Sequence, residues 1–252
     1  MYFLGIDLGW SSEISGVCCL KWQANQLTLI DLQQVQSFQF IYAWIDQWLP
    51  LGKHGGIAVD APIAIGNLTG MRHCDRLTHK LFGRYHAGSY PANQSRPFAA
   101  KTVGFGDSLL AQEFRHAPVI EPRQPCRFQI EVFPHPAMVR LFNLEKILKY
   151  KKGSVAERRV ELAKLRAYIC DRLPVLEPPL DLTQSACALP ELPPPGKNLK
   201  PVEDQLDSLI CAYVAAHWWY WGTARNVVLG ELPEGYIIVP EPRLPDVQKA
   251  TS

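Results

Sequence analysis

The chain opens with a short apolar run, Tyr2-Phe3-Leu4-Gly5-Ile6-Asp7-Leu8, that meets a carboxylate and then a glycine. Such a run predicts a buried strand over residues 2–8 with an acid leaving its tip. Residues 15–22 predict a second strand and residues 27–32 a third, joined by a short polar turn at 23–26. These three form an antiparallel meander. Phe38, Ile41, Trp44, Ile45 and Trp48 then recur at helical spacing, which predicts a helix over 38–49, stopped by Pro50 and Gly52. Residues 56–60 return to a buried strand that ends in Asp60 and is closed by Ala61-Pro62.

Residues 63–127 are less regular, with a helix expected around 71–82 and a Gly/Pro/Asn-rich loop at 87–97. A strand follows at 128–133 and a helix from His135 to about 142. Ser154 and Glu157 have the spacing of a capping box, and Leu162, Leu165, Ile169 and Leu173 form the apolar stripe of the helix that the box starts. Residues 174–201 are rich in proline and predict a loop. A helix over 203–221 carries Leu206, Leu209, Ile210, Tyr213, Val214 and His217 on its buried side, and a last strand falls near 225–230 or 236–239. The expected architecture is a single α/β domain over residues 1–252. Its mixed sheet has an antiparallel three-strand meander followed by parallel strands, flanked by helices, with an insertion at about 63–127 and a Pro-rich loop at about 174–201. The first five elements follow the order that begins an RNase H-like fold.

Composition narrows the class. With 47% apolar and 20% charged residues, a chain of 252 residues can bury an ordinary globular core. No apolar stretch approaches the ~20 residues of a membrane span, and no basic flank precedes an apolar segment at the N-terminus, so neither membrane insertion nor a secretory signal is expected. Seven cysteines without a Cys-x-x-Cys pair read as reduced thiols of a cytoplasmic protein, and the adjacent Cys18 and Cys19 should point to opposite faces of a strand. The net charge of +2 conceals an asymmetry: residues 71–160 carry 16 Lys and Arg against 7 Asp and Glu, or +9, and the remainder carries −7. A basic middle between acidic ends suits an anionic ligand beside a carboxylate site, or equally a set of solvated loops.

Carboxylates stand where the predicted core elements end. Asp7 ends the first strand, Asp60 ends the strand after the first helix, and Glu131 lies within strand 128–133. Asp204 and Asp207 open the last long helix at i, i+3, so both leave the same helix face. Any one of them alone has a structural reading, as a turn residue or as an acid favoured at a helix N-terminus. Together they would repel one another at one sheet edge unless hard cations joined them. Mg²⁺ or Mn²⁺ suits such all-oxygen ligands, and two such ions ~4 Å apart can drive phosphodiester cleavage.

The motifs around these acids carry a resemblance. Gly5-Ile6-Asp7-Leu8-Gly9-Trp10, Val59-Asp60-Ala61-Pro62, Arg72-His73-Cys74-Asp75, Gly88-Ser89-Tyr90-Pro91-Ala92-Asn93, Glu131-Val132-Phe133-Pro134-His135, Tyr150-Lys151-Lys152-Gly153 and Glu203-Asp204-x-x-Asp207 together resemble a family of predicted nucleases, DUF429, over roughly residues 1–221. The resemblance implies an RNase H-like fold, and its Asp-x-x-Asp helix is similar to the RuvC-type resolvase branch. That branch implies two divalent ions held by Asp7, by Asp60 or Glu131, and by Asp207 with Asp204. It also implies Arg72 and Lys151 as substrate contacts. Arg76, Arg84, Arg96, Lys101 and Lys152 add basic groups that could meet phosphates, and Tyr85, Tyr90 and Phe98 add aromatic rings that could stack on bases. His73, His79 and His86 near Cys74 fit no usual zinc spacing. His135 is either a proton shuttle or a packed histidine.

Three functions compete at this level. The first is a Mg²⁺- or Mn²⁺-dependent nuclease acting on DNA or RNA, with Asp7, Asp60, Glu131, Asp204 and Asp207 as its acids. The second is an actin-like ATPase-class phosphotransferase, since Asp7-Leu8-Gly9 with Ser11 and Ser12 resembles a first phosphate loop; no second Asp-x-Gly-Gly loop is present. The third is a non-catalytic nucleic-acid-binding protein of the same fold.

Overall fold

A computed structural model describes residues 1–10, 14–183 and 185–242. Ser11 and Ser12, assigned above to a phosphate loop, lie outside the described residues. The N-terminal half follows the expected order: β1 (Tyr2–Asp7), β2 (Ile14–Gln23), β3 (Gln26–Gln36), α1 (Ser37–Trp48) and β4 (Gly55–Asp60). Ala24 and Asn25 both take positive φ between Gln23 and Gln26, the two-residue hairpin turn that matches strand twist. β3 runs four residues past its apolar stretch because its ladder with β2 continues as far as Gln36 opposite Ile14. Backbone pairing there outweighs the polar side chains.

The insertion is more regular than its sequence suggests. It holds α2 (His73–Phe82), α3 (Ala99–Ala111) and the two-residue β5 (Arg115–His116). Helix α3 escapes a pattern reading because Gly104 and Gly106 lower its propensity; Gly106 is needed where the helix crosses Ile63, since a Cβ there would stand 2.6 Å from the Ile63 carbonyl oxygen. Next come β6 (Arg127–Glu131), α4 (Pro134–Phe142) and α5 (Val155–Arg172), the last opened by the Ser154–Glu157 capping box. The Pro-rich stretch contains a short strand, β7 (Leu180–Asp181), that pairs with β3. After α6 (Lys200–Trp221), both alternative last strands form: β8 (Asn226–Glu231) and β9 (Gly235–Pro240) make one hairpin.

The main sheet has the order β5-β6-β4-β1-β2-β3-β7. β1, β2 and β3 are antiparallel neighbours, while β4 and β6 run parallel to β1. Strand alternation divides the core into two layers. Phe3, Cys18, Leu20, Ala58 and Ile130 face α4, α5 and α6, whereas Leu4, Ile6, Val17, Cys19, Ile57 and Val59 face α1 and α3. Cys18 and Cys19 therefore belong to opposite layers, and all seven cysteines are free thiols. Among the described residues no helix is long and apolar enough to cross a membrane.

Two glycines set the position of α6. A Cβ on Gly5 would stand 1.9 Å from the Ser208 carbonyl oxygen and 2.2 Å from the Ala212 nitrogen, and one on Gly16 would stand 2.0 Å from the Asp204 carbonyl oxygen. The helix thus rests directly on the backbones of β1 and β2, which carries Asp204 and Asp207 to the end of β1. Gly5→Ala has no flexible neighbour to push aside, so it should cost at least about 3 kcal/mol of stability, the upper part of the overpacking range. Urea unfolding checks this, and a loss below about 1 kcal/mol would contradict the close approach.

Candidate active site

Register places the first two acids. In the parallel pair β1–β4, Asp7 lies opposite Asp60, so the two carboxylates leave adjacent strand ends on the same sheet face, the face covered by α6. Glu131 differs. Its partner in the ladder is Val59, which faces α1 and α3, so Glu131 emerges on the opposite face from Asp60. Alternation therefore separates the two mid-chain acids that the sequence left as alternatives.

Helix α6 completes the acid group. Asp207 is fully buried and accepts a hydrogen bond from the Tyr150 hydroxyl at 2.6 Å. Its other oxygen stands 2.5 Å from the Lys151 ammonium, which is also 4.0 Å from Asp7 Oδ2. One cation is thus shared by an acid at residue 7 and an acid at residue 207. Asp204, one helical turn earlier, accepts from Gln34 Nε2 at 3.0 Å and pairs with Lys200. Asp7 Oδ2 is buried and has no hydrogen-bond partner among the described residues.

Crowding and burial perturb these groups. Burial raises the Asp7 carboxyl well above its usual value; Asp207, Asp60 and Asp204 add to this and Lys151 opposes it. Burial likewise lifts Asp60 to about 7, against the pull of Lys151. For Lys151 burial alone would lower the pKa, but Asp207 and Asp7 outweigh it and hold the ammonium charged well above the ordinary range. His135 is pushed by burial down to about 4 and is neutral at physiological pH.

Arg72 has a different place from the one its motif suggests. It is buried, and its guanidinium meets Glu131 in a fork, with Nη1 to Oε2 at 2.7 Å and Nη2 to Oε1 at 2.6 Å. Its remaining N–H groups go to Asp75 and to the Ala64 carbonyl. All five donors are spent inside the protein, so none remains for a substrate phosphate. Glu131 in turn gives both oxygens to Arg72. Asp75 is the second anchor, accepting also from Ser89 Oγ at 3.3 Å and from the Ala92 nitrogen at 3.1 Å. The Arg72–Glu131–Asp75 group ties α2, β6 and the 87–97 loop together beneath the site.

These residues line a recess of about 410 Å³ at the carboxyl ends of β1, β4 and β6, where parallel sheets commonly hold ligands. Asp7, Asp60, Asp204, Glu131, Lys151 and Lys200 form its polar part; Trp10, Phe98 and Tyr90 stand among its apolar walls. Lys152 is exposed and lines an adjoining recess instead. Of the other basic candidates, Arg76 caps the Met71 carbonyl, Arg84 bonds Tyr85, and Lys101 lies over the Phe38 ring. Tyr150, Lys200, Gln34 and Asp75 were not singled out from sequence as parts of the site. Asp75 had a signal, as the third residue of α2 behind Arg72; Gln34 and Lys200 gained their roles only from the packing of α6.

The donor set suits a hard divalent ion in kind: carboxylate oxygens grouped around the Lys151 ammonium, with Asp7 Oδ2 buried and without a hydrogen bond among the described residues. As the side chains stand, with Lys151 between Asp7 and Asp207, no three His, Cys, Asp or Glu among the described residues are arranged to hold a metal ion.

Comparison with known proteins adds a family and no activity. No curated protein and no solved structure matches the chain. Residues 5–231 match the family described as "Protein of unknown function (DUF429)". That span includes every acid of the site from Asp7 to Asp207, and the chain belongs to this family.

Proposed function

We propose that this protein is a nuclease that hydrolyses nucleic-acid phosphodiester bonds with Mg²⁺ or Mn²⁺ held by Asp7, Asp60 and Asp207, with Asp204 beside them. The observation that carries the reading is the in-register pair Asp7–Asp60 on the sheet face where α6 delivers Asp207 to the same ammonium as Asp7. Divalent ions bound there would supply an activated water and stabilise the leaving oxygen. The chain's own residues do the rest. Tyr150 fixes the orientation of Asp207 through its hydroxyl. Lys151 balances the acids and, lining both recesses, is placed to bind a phosphate of the substrate. Glu131, locked by Arg72, braces the end of β6 and is not counted among the metal ligands. Lys200 holds Asp204.

The test is cleavage of labelled DNA and RNA oligonucleotides in Mn²⁺ and in EDTA. Cutting that requires the metal supports the reading. If the protein cuts neither and instead turns over ATP onto a small acceptor, the phosphotransferase reading replaces it.

The perturbed acids also predict how the metal-free protein responds to pH. Asp60 and Glu131, each at about 7 when folded, bind more protons in the folded than in the unfolded state. Their contribution to stability is present at low pH and is lost as pH rises through their folded values. The buried His135 and His217, both near 4 when folded and 6.5 when free, act oppositely, but only below about 6.5. In EDTA the melting temperature should therefore fall between pH 6.5 and about 8. Asp60→Asn, which mimics the protonated acid, should flatten that slope. A melting temperature that rises over the same window would contradict the assignment.

A further inference from the structure

The recess that adjoins the carboxylate site has the opposite chemistry. It encloses about 570 Å³ and is lined by Lys149, Lys151, Lys152, His79, His86 and His135, with no Asp or Glu in its lining. The two recesses share Ser89, Tyr90, Phe133 and Lys151. Tyr90 and Lys151 thus line both the acid recess and the basic one.

Tyr90 is an unusual ridge residue. It is 67% exposed, yet the backbone around it is fixed. Ser89 and Ala92 donate to the buried Asp75, and the Ser89 carbonyl stands 2.8 Å from His79 Nε2. Gly88 passes so close to the His79 ring that a Cβ would lie 2.5 Å from it. The Arg96 guanidinium lies 5.1 Å from the Tyr90 ring centre. An exposed aromatic ring on a tied loop, with a cation over it, that lines both an acid recess and a basic one has the form of a base-stacking platform. A base can stack on Tyr90 only when it is unpaired and turned out of a duplex, so this platform suits a single strand.

We propose that the basic recess is a strand-binding subsite for single-stranded nucleic acid, with a backbone phosphate held by Lys149 and Lys152 and a base stacked on Tyr90. The proposal deepens the nuclease reading and rests on it for the direction of the strand into the acid recess. It makes unpaired strands the substrate class.

Fluorescence anisotropy with a labelled single-stranded oligonucleotide and its duplex, in EDTA, tests it with the metal removed. The single strand should bind at least about 10-fold more tightly than the duplex. Tyr90→Ala should weaken single-strand binding roughly 5- to 100-fold, the range for loss of one stacked base. Lys149→Glu with Lys152→Glu should weaken it further and reduce the salt slope by about 0.7 for each phosphate that is no longer neutralised. Lys149→Gln with Lys152→Gln should act in the same direction and guards against misfolding from repulsion by Glu157 and Glu161. Equal affinity for the duplex, or unchanged binding in both lysine pairs, would overturn the proposal. Mn²⁺ calorimetry on the same variants separates the two readings. No preference for the single strand in the native protein, with its Mn²⁺ binding intact, defeats the subsite alone, while absence of Mn²⁺ binding by the native protein defeats the nuclease reading.

Discussion

Asp7→Asn should abolish metal-dependent cleavage and leave the fold standing. The amide keeps the shape of the side chain and removes its charge. Removal of one preorganised electrostatic group from an active site costs on the order of 10²- to 10³-fold in rate, and loss of an acid proposed as a metal ligand should lie at or above that range. Stability should move the other way. Burial disfavours ionised Asp7, Asp207 and Asp60 repel it, and Lys151 at 4.0 Å opposes them only in part. Asp7 Oδ2 forfeits no hydrogen bond when it becomes an amide, because it has none among the described residues. In EDTA the variant should therefore melt at or above the native temperature, and added Mn²⁺ should raise the native melting temperature more than that of the variant. Cleavage at the native rate by Asp7→Asn would remove Asp7 from the mechanism.

Arg72→Ala should be the most damaging single change to the fold. It strips both oxygens of Glu131 and several bonds of Asp75 at once, leaving two buried carboxylates short of partners. Breaking a buried ion pair from one side costs about 3–5 kcal/mol. Arg72→Lys should recover little, since an ammonium cannot reproduce the fork. Adding Glu131→Gln to Arg72→Ala should return part of the loss, because it removes the stranded charge. Urea unfolding of the three variants measures these terms. A loss below about 1 kcal/mol for Arg72→Ala would show that the Arg72–Glu131–Asp75 group does not brace the site.

The same residue shows where sequence reasoning stops. Arg72 and Lys151 both carry the charge that a phosphate needs, and motif alone assigned both to substrate. Arg72 instead spends every donor internally, which depends on a contact with Glu131 across 59 positions. The strand-end acids were legible because an apolar run ending in Asp constrains its own geometry. Asp204 and Asp207 were legible from their i, i+3 spacing. The choice between Asp60 and Glu131 was not, since it turns on strand register: Asp60 pairs with Asp7, and Glu131 pairs with Val59 on the other face. Register is set by neighbours that no local pattern names. Helix α3 was hidden for a related reason, because Gly106 is required by the crossing at Ile63 and weakens the local helical signal. The final hairpin appeared in sequence as two alternatives for one strand, and each is the partner of the other.

In the proposed site Asp7, Asp60 and Asp207 hold a divalent ion together and Glu131 stands outside. Anomalous diffraction from crystals soaked in Mn²⁺ tests this most directly. Manganese density is expected between Asp7 and Asp207 and in contact with Asp60, with Lys151 displaced from Asp207 and the Arg72–Glu131 fork unbroken. Manganese bound to Glu131 with the fork opened, or no manganese at the ends of β1 and β4, would contradict it.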